Sequence, residues 1–249
     1  MARNAERALV RVYYRSHQGR WLAAVVILFG GCLLSTSLYP VRSLTDFVCD
    51  MLGNQVVTLW ALPLALVLIS SDLMGPATSS LRSLLLTRQG RVPDLIQPYV
   101  RVSLLNAASV TAGTVLLGLL AGWYRGFRFS GALTYPLAHQ LGLWILAERL
   151  VMLGVFVLLF TLTTVWVSVL THSPLAAIGA DIVLWSIPLI VAKSAPGLLR
   201  KFPLFPGAAL FWGNYATGKM FLIDFSNLLW LGVAGLLLTV VGTMPRERY

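Results

Sequence analysis

The sequence predicts an all-α, polytopic membrane protein. Three observations carry that prediction. The chain of 249 residues is 57% hydrophobic and only 11% charged, and its mean hydropathy is +0.79. Soluble domains carry about 25% charged residues, and no soluble core of this size could hide so much apolar surface. The apolar residues also fall into runs of about 20, the length that crosses a bilayer as a helix.

Six spans are expected. The first is Trp21–Tyr39, read as a retained span rather than a cleaved leader, and the second Gln55–Leu73. The third is Val100–Trp123, and the fourth lies within Leu143–Leu170. The fifth is Leu175–Ala192, with Pro188 as a kink, and the sixth Met220–Met244. Trp21, Tyr39, Trp123, Tyr124, Trp212 and Tyr215 stand near their ends, where amphipathic rings settle at headgroups. One transmembrane domain is therefore expected over 1–249.

Lysine and arginine set the orientation. With the N-terminus inside, the cytoplasmic segments hold eleven: Arg3, Arg7, Arg11, Arg15, Arg20, Arg82, Arg88, Arg91, Arg101, Arg246 and Arg248. The outer segments hold seven: Arg42, Arg125, Arg128, Lys193, Arg200, Lys201 and Lys219. The N-terminal segment is the most lopsided and the first helix usually dominates, so both termini are placed in the cytoplasm of a plasma membrane. The net charge of +10 is then a membrane-edge charge. No nucleic-acid partner is read from it.

Residues 1–20 form the first connecting element. Arg3, Arg7, Arg11 and Arg15 recur every four positions, with Leu9, Val12 and Tyr13 towards the other face. That pattern reads as an amphipathic helix at the cytoplasmic interface. Residues 75–94, GPATSSLRSLLLTRQGRVPD, form the second. Leu81, Leu84 and Leu85 take helical spacing among Arg82, Arg88 and Arg91, Gly75-Pro76 closes the preceding span, and Pro93 is expected to end this short helix. A basic amphipathic helix of this kind can lie on lipid or dock in a groove of a soluble partner.

Chemistry-bearing motifs are sparse. Gly213–Met220, GNYATGKM, approaches the phosphate-cradling G-x-x-x-x-G-K-[ST] but has Met220 where Mg²⁺ needs a hydroxyl. No β-rich strand leads into it, and the topology places it outside. His17, His139 and His172 are scattered, so no metal spacing exists. Cys32 lies in a span and Cys49 in a connecting segment, so no disulfide is expected between them. Glu148 and Arg149 read as an interfacial pair at the outer start of span four. Asp181 in span five, and Asp224 with Asn227 in span six, are polar groups within apolar runs and are the candidate pathway residues. Trp166, Trp185 and Trp230 read as packing residues.

SLRSLLLTRQGR, residues 80–91, resembles the T-L-x-x-L-L-x-S-P-x-S-R stretch of ABC-2 type membrane subunits of ATP-binding-cassette transporters. Leu81, Leu84, Leu85, Thr87 and Arg91 fall on matching positions; Ser80 stands for Thr and Arg88 for Pro. Asp72 lies upstream, near the family's acidic residue. The resemblance implies six spans, an N-terminal interfacial helix and a coupling helix between spans two and three. It also implies a short turn between spans four and five, here Thr171–Pro174, and a partly re-entrant external segment, here Ala195–Lys219 with Pro196, Pro203 and Pro206.

By that resemblance the chain is a non-catalytic permease subunit of an exporter. Leu81, Arg82, Leu84, Leu85, Thr87, Arg88 and Arg91 would contact separate ABC ATPase subunits. ATP and Mg²⁺ would sit on those partners, and a second membrane subunit would complete the pathway in the bilayer. Two alternatives are weighed against it. An intramembrane enzyme needs a nucleophile–base pair, paired carboxylates or metal ligands at one depth, and none is legible. A secondary transporter would be favoured by internal repeats and buried charges, and no repeat is visible; a membrane scaffold is left open.

Overall fold

The computed structural model describes residues 11–35, 41, 43–54, 56–71, 73, 92–129, 143–171, 173–186, 229–230 and 232–236. Among these, the ordered elements are all helical. Residues 11–16 form a helical stretch that leads into α1, Gln18–Leu34. Then come α2, Leu44–Gly53, a π-helical stretch, Val56–Ala61, and α3, Leu62–Ser70. Next are α4, Val92–Tyr124, α5, Leu143–Thr171, and α6, Pro174–Asp181, which runs on into a second π-helical stretch, Ile182–Ser186. Residues 229–230 and 232–236 are helical too.

Two helices are long and apolar enough to cross a membrane: Tyr99–Tyr124 within α4 and Leu146–Ser168 within α5. At 1.5 Å per residue these extend about 39 Å and about 35 Å, beyond the ~30 Å hydrocarbon core. The pair α2 and Val56–Ser70 passes the same test only as one bent unit, with 52° between its halves. α1 buries Ala24, Leu28, Gly31 and Cys32 along one face. Its other face exposes Leu22, Val25, Val26 and Leu34, so it is apolar all round, as a lipid-surrounded helix is.

Contacts at the helix ends fix relative direction. Tyr14 near the start of the first helix bonds Asn106 in the first half of α4, and Arg125, just past the end of α4, donates to the Ser35 carbonyl just past α1 (2.8 Å). α1 and α4 thus run the same way. α3 runs oppositely: Ser71, after its C-terminus, accepts from Arg20 at the start of α1 (2.9 Å). α5 returns against α4, and α6 folds back on α5 through Ser173, whose hydroxyl accepts from the Ala176 N–H with Pro174 in the first turn.

Local chemistry explains the ends. α4 stops in a Schellman motif: the Phe127 N–H donates to the Gly122 carbonyl and the Gly126 N–H to that of Trp123. Gly126 takes φ +85°, which only glycine adopts cheaply. The turn stacks Phe127 on Phe47 of α2, with ring centroids 5.3 Å apart.

Two sequence expectations need correction. The segment holding Cys49 is a connection in sequence but forms α2, whose residues 46–53 are all buried. Ser43 caps it, accepting from the Asp46 N–H at 3.1 Å. Pro93 lies in the first turn of α4, where its missing N–H costs no helical hydrogen bond, and the short helix expected before it falls outside the described residues. Glu148–Arg149 is not an interfacial pair, because Arg149 is wholly buried.

Candidate functional site

Three polar constellations stand out in an otherwise apolar bundle. The first ties the N-terminal helix to the end of α3 and to the first half of α4. The Tyr13 hydroxyl donates to the Ile69 carbonyl (2.7 Å) and accepts from Asn106 Nδ2 (3.3 Å). The Tyr14 hydroxyl donates to Asn106 Oδ1 (2.9 Å). Asn106 is therefore a fully buried hub that both gives and receives. Burial pushes the Tyr14 phenol above its ordinary range, only partly offset by a bond to Ser109, so it remains a donor at neutral pH. Arg20 adds its bond to Ser71, and Arg11 and Arg15 stay exposed on the opposite face. The sequence pattern places Tyr13 near an apolar face; the structure shows that it packs against the bundle.

The second constellation joins α5 and α6. Asp181 is 1% exposed, and its Oδ2 accepts from Thr164 Oγ1 at 2.6 Å. Its other oxygen, Oδ1, is buried with no hydrogen-bond partner among the described residues. A spare buried acceptor of this kind can take a hydrogen-bond donor or a cation. Thr164→Val removes the one described donor while keeping the side chain's shape. Hydrogen bonds to carboxyl groups contribute about 1.5–3 kcal/mol. We expect Thr164→Val to lower unfolding stability by about that amount in detergent, and by clearly less in an Asp181→Asn background. Equal losses in both backgrounds would place the effect elsewhere.

The third surrounds Arg149 at the start of α5. Its guanidinium donates to the Cys49 carbonyl in α2 and lies 3.8 Å from the Cys49 sulfur. Asp46 and Asp50, one turn apart on the same helix as Cys49, are also buried (2% and 6% exposed). Sequence reasoning misses this constellation. Its only legible signal is an acidic pair at i, i+4 with an arginine in a later apolar run.

Between α4 and α5 lies an open apolar cleft of about 670 Å³, lined by Ala107, Thr111, Ala112, Leu150 and Gly154 among others. Small side chains permit this close approach: a Cβ at Gly154 would lie 3.5 Å from Thr111 Oγ1.

The other candidate residues are divided by their place in the chain. Leu81, Arg82, Leu84, Leu85, Thr87, Arg88 and Arg91 lie outside the described residues, as do Asp224, Asn227, GNYATGKM and Ala195–Lys219. Of the candidate pathway residues, only Asp181 is placed. Among the described residues no group of three His, Cys, Asp or Glu side chains could hold a metal ion. No protein-family model, curated protein or solved structure matches the chain.

Proposed function

We propose that this chain is the transmembrane subunit of an ATP-driven exporter of the ABC-2 type, with six spans and both termini in the cytoplasm of a plasma membrane. Two membrane subunits enclose the pathway, and separate ATPase chains supply ATP hydrolysis with Mg²⁺. The observation that carries the reading is the tyrosine clamp. Residues 74–91, where the family-like stretch lies, connect α3 to α4 in the chain. Tyr13, Tyr14, Asn106 and Arg20 bind those two flanking helices to the N-terminal helix.

Such a clamp suits force transmission. A push on the segment between α3 and α4 moves α3, α4 and the N-terminal helix as one body, because their hydrogen bonds are buried and mutually satisfied. Asp181, with its spare acceptor, is the pathway candidate: Asp181→Asn is expected to alter transport while subunit assembly persists. Alternating helix directions also support the topology, since neighbouring spans must reverse.

Two experiments test the reading. Gentle solubilisation of the tagged chain from its host should recover a stoichiometric soluble partner bearing a complete G-x-x-x-x-G-K-[ST]; recovery of this chain alone would refute the exporter assignment. Given that complex, the double reversal Arg88→Glu and Arg91→Glu should reduce ATPase stimulation at least tenfold or prevent assembly, with helix content and detergent stability unchanged. Unchanged coupling in correctly inserted protein would remove residues 80–91 from the ATPase contact.

A further inference from the structure

We infer that the outward face of residues 11–19 is a docking surface for anionic phospholipid headgroups, seated in a step where the apolar girdle of the bundle is about 10 Å shorter than it is along α4. The inference rests on α4 crossing a bilayer, and not on the exporter assignment.

The step follows from how α1 and α4 are aligned. Backbone bonds run unbroken through the turn at His17: its N–H donates to the Tyr13 carbonyl (3.1 Å), and its carbonyl accepts from the Trp21 N–H (2.9 Å). Residues 11–34 therefore run on as one rod. Two bonds set its height against α4. Tyr14 reaches Asn106, 92 positions later in the chain, and the Ser35 carbonyl accepts from Arg125, 90 positions later. Each residue of the rod thus lies level with the α4 residue 90 to 92 positions on.

The two apolar faces then end at different heights. On α4 the large exposed apolar side chains run from Leu104 to Trp123, and Arg101 is exposed just before them. At 1.5 Å per residue that face is about 28 Å long, which matches a hydrocarbon core of ~30 Å. On the rod the corresponding face runs from Leu22 to Leu34, about 18 Å. Leu34 and Trp123 are nearly level, so the deficit of about 10 Å lies at the Tyr14 end. α3 stops there as well: Ser71, just past its last residue, bonds Arg20. In place of apolar side chains the rod exposes Arg11, Arg15, Ser16, Gln18 and Gly19, with Val12 the one large apolar exception. Gly19 is level with α4 positions 109–111, which lie inside the girdle.

Lipid is the occupant that fits this face. A guanidinium or an amide facing acyl chains is costly, and a bilayer relieves such a mismatch by thinning, which brings headgroups and water inward. Arg11, Arg15, Leu22 and Val26 share one side of the rod, while Tyr13, Ala24 and Leu28 are buried on the other. A phospholipid lying along that side meets arginine at its phosphate and apolar side chains at its acyl chains, in the order a lipid presents them. No acidic residue occurs from 11 to 26, so the arginines favour a lipid of net negative charge over a zwitterionic one. An acidic protein segment would match the arginines but not the continuation into Leu22 and Val26.

The tests use full-length protein in phosphatidylcholine nanodiscs, with Cys32→Ala and Cys49→Ala removing both native thiols. Gly19→Cys has room, because a Cβ there meets nothing within 4 Å. Ala108→Cys and Ala112→Cys are exposed controls at about the same level on α4. A water-soluble maleimide should label Gly19→Cys at least tenfold faster than either control. Equally slow labelling of all three would overturn the step. Fast labelling of the controls would instead show that this part of α4 lies outside hydrocarbon, and would remove the bilayer reading on which the inference rests. For the occupant, a fluorophore on Gly19→Cys is compared in nanodiscs holding the same share of spin-labelled phosphatidylglycerol or spin-labelled phosphatidylcholine. Quenching by the phosphatidylglycerol should be at least twofold stronger at low salt. Arg11→Gln with Arg15→Gln should abolish that preference while helix content stays unchanged. Equal quenching by the two lipids with both arginines present, or a preference that survives their loss, would refute the anionic headgroup as the occupant.

Discussion

Gly31→Ala is expected to lower the apparent Tm of the protein, while the same change one residue earlier, at Gly30, is expected to raise it. A Cβ at Gly31 would lie 2.5 Å from the Cβ of Ala61 in the Val56–Ala61 stretch, a separation that two such carbons do not tolerate. Ala61 Cβ is fixed to its backbone, so relief requires α1 and that stretch to move apart. Overpacking of this kind costs about 1–3 kcal/mol. Replacing a helical glycine by alanine returns about 1 kcal/mol of helix propensity. The clash wins at Gly31. At Gly30 a Cβ meets nothing within 4 Å, so only the propensity gain remains. At about 2–4 °C per kcal/mol for a chain of this size, opposite shifts of a few degrees should be resolved by thermal unfolding in detergent. Shifts of the same sign would show that α1 is not seated against Ala61.

Asn106→Leu is the second large effect. It removes the hub of the tyrosine clamp at a fully buried position and leaves the Tyr14 hydroxyl without its acceptor. An unmade buried hydrogen bond costs about 1–3 kcal/mol, so the loss should approach the upper end of that range. Tyr14→Phe alone should cost about 1 kcal/mol, the usual net worth of one such bond, and should cost clearly less once Asn106 is replaced by Leu, when only the bond to Ser109 is left to lose. Additive losses in that double-mutant cycle would mean the two side chains act independently. On the exporter reading proposed above, Asn106→Leu is also expected to uncouple ATP hydrolysis from transport more severely than its stability loss explains.

How much of this can be read from sequence follows from where each determinant lies. α1, α4 and α5 are written in long, predominantly apolar runs, which depend on neighbours in sequence. Asp181 is legible for the same reason, as an acid inside such a run. α2 is not, because Asp46 and Asp50 break the run, and the Arg149 that bonds its Cys49 carbonyl lies 100 residues further on. Arg149 itself misleads because Glu148 beside it suggests water. On a helix, adjacent residues point apart, and these two face different surroundings. Pro93 carries an ambiguous punctuation signal, because proline stops a helix from inside and starts one from its first turn, and here it stands in the first turn of α4. The Asn106 hub gives no local signal, since asparagine within an apolar helix announces a partner without saying which.

The tyrosine clamp also has a history during synthesis. Tyr14 and its acceptor are 92 residues apart, so at about 5–20 residues per second the ribosome takes roughly 5–18 s to produce the second after the first. Its bonds to Ile69 and Ser71 can form earlier, once α3 is made, but for that interval the Tyr14 hydroxyl lacks Asn106. The clamp then closes only when α4 has been inserted in the same direction as α1. An α4 inserted the wrong way round would carry Asn106 far from Tyr14, so the clamp serves as a check that the first half of the chain has threaded the bilayer correctly.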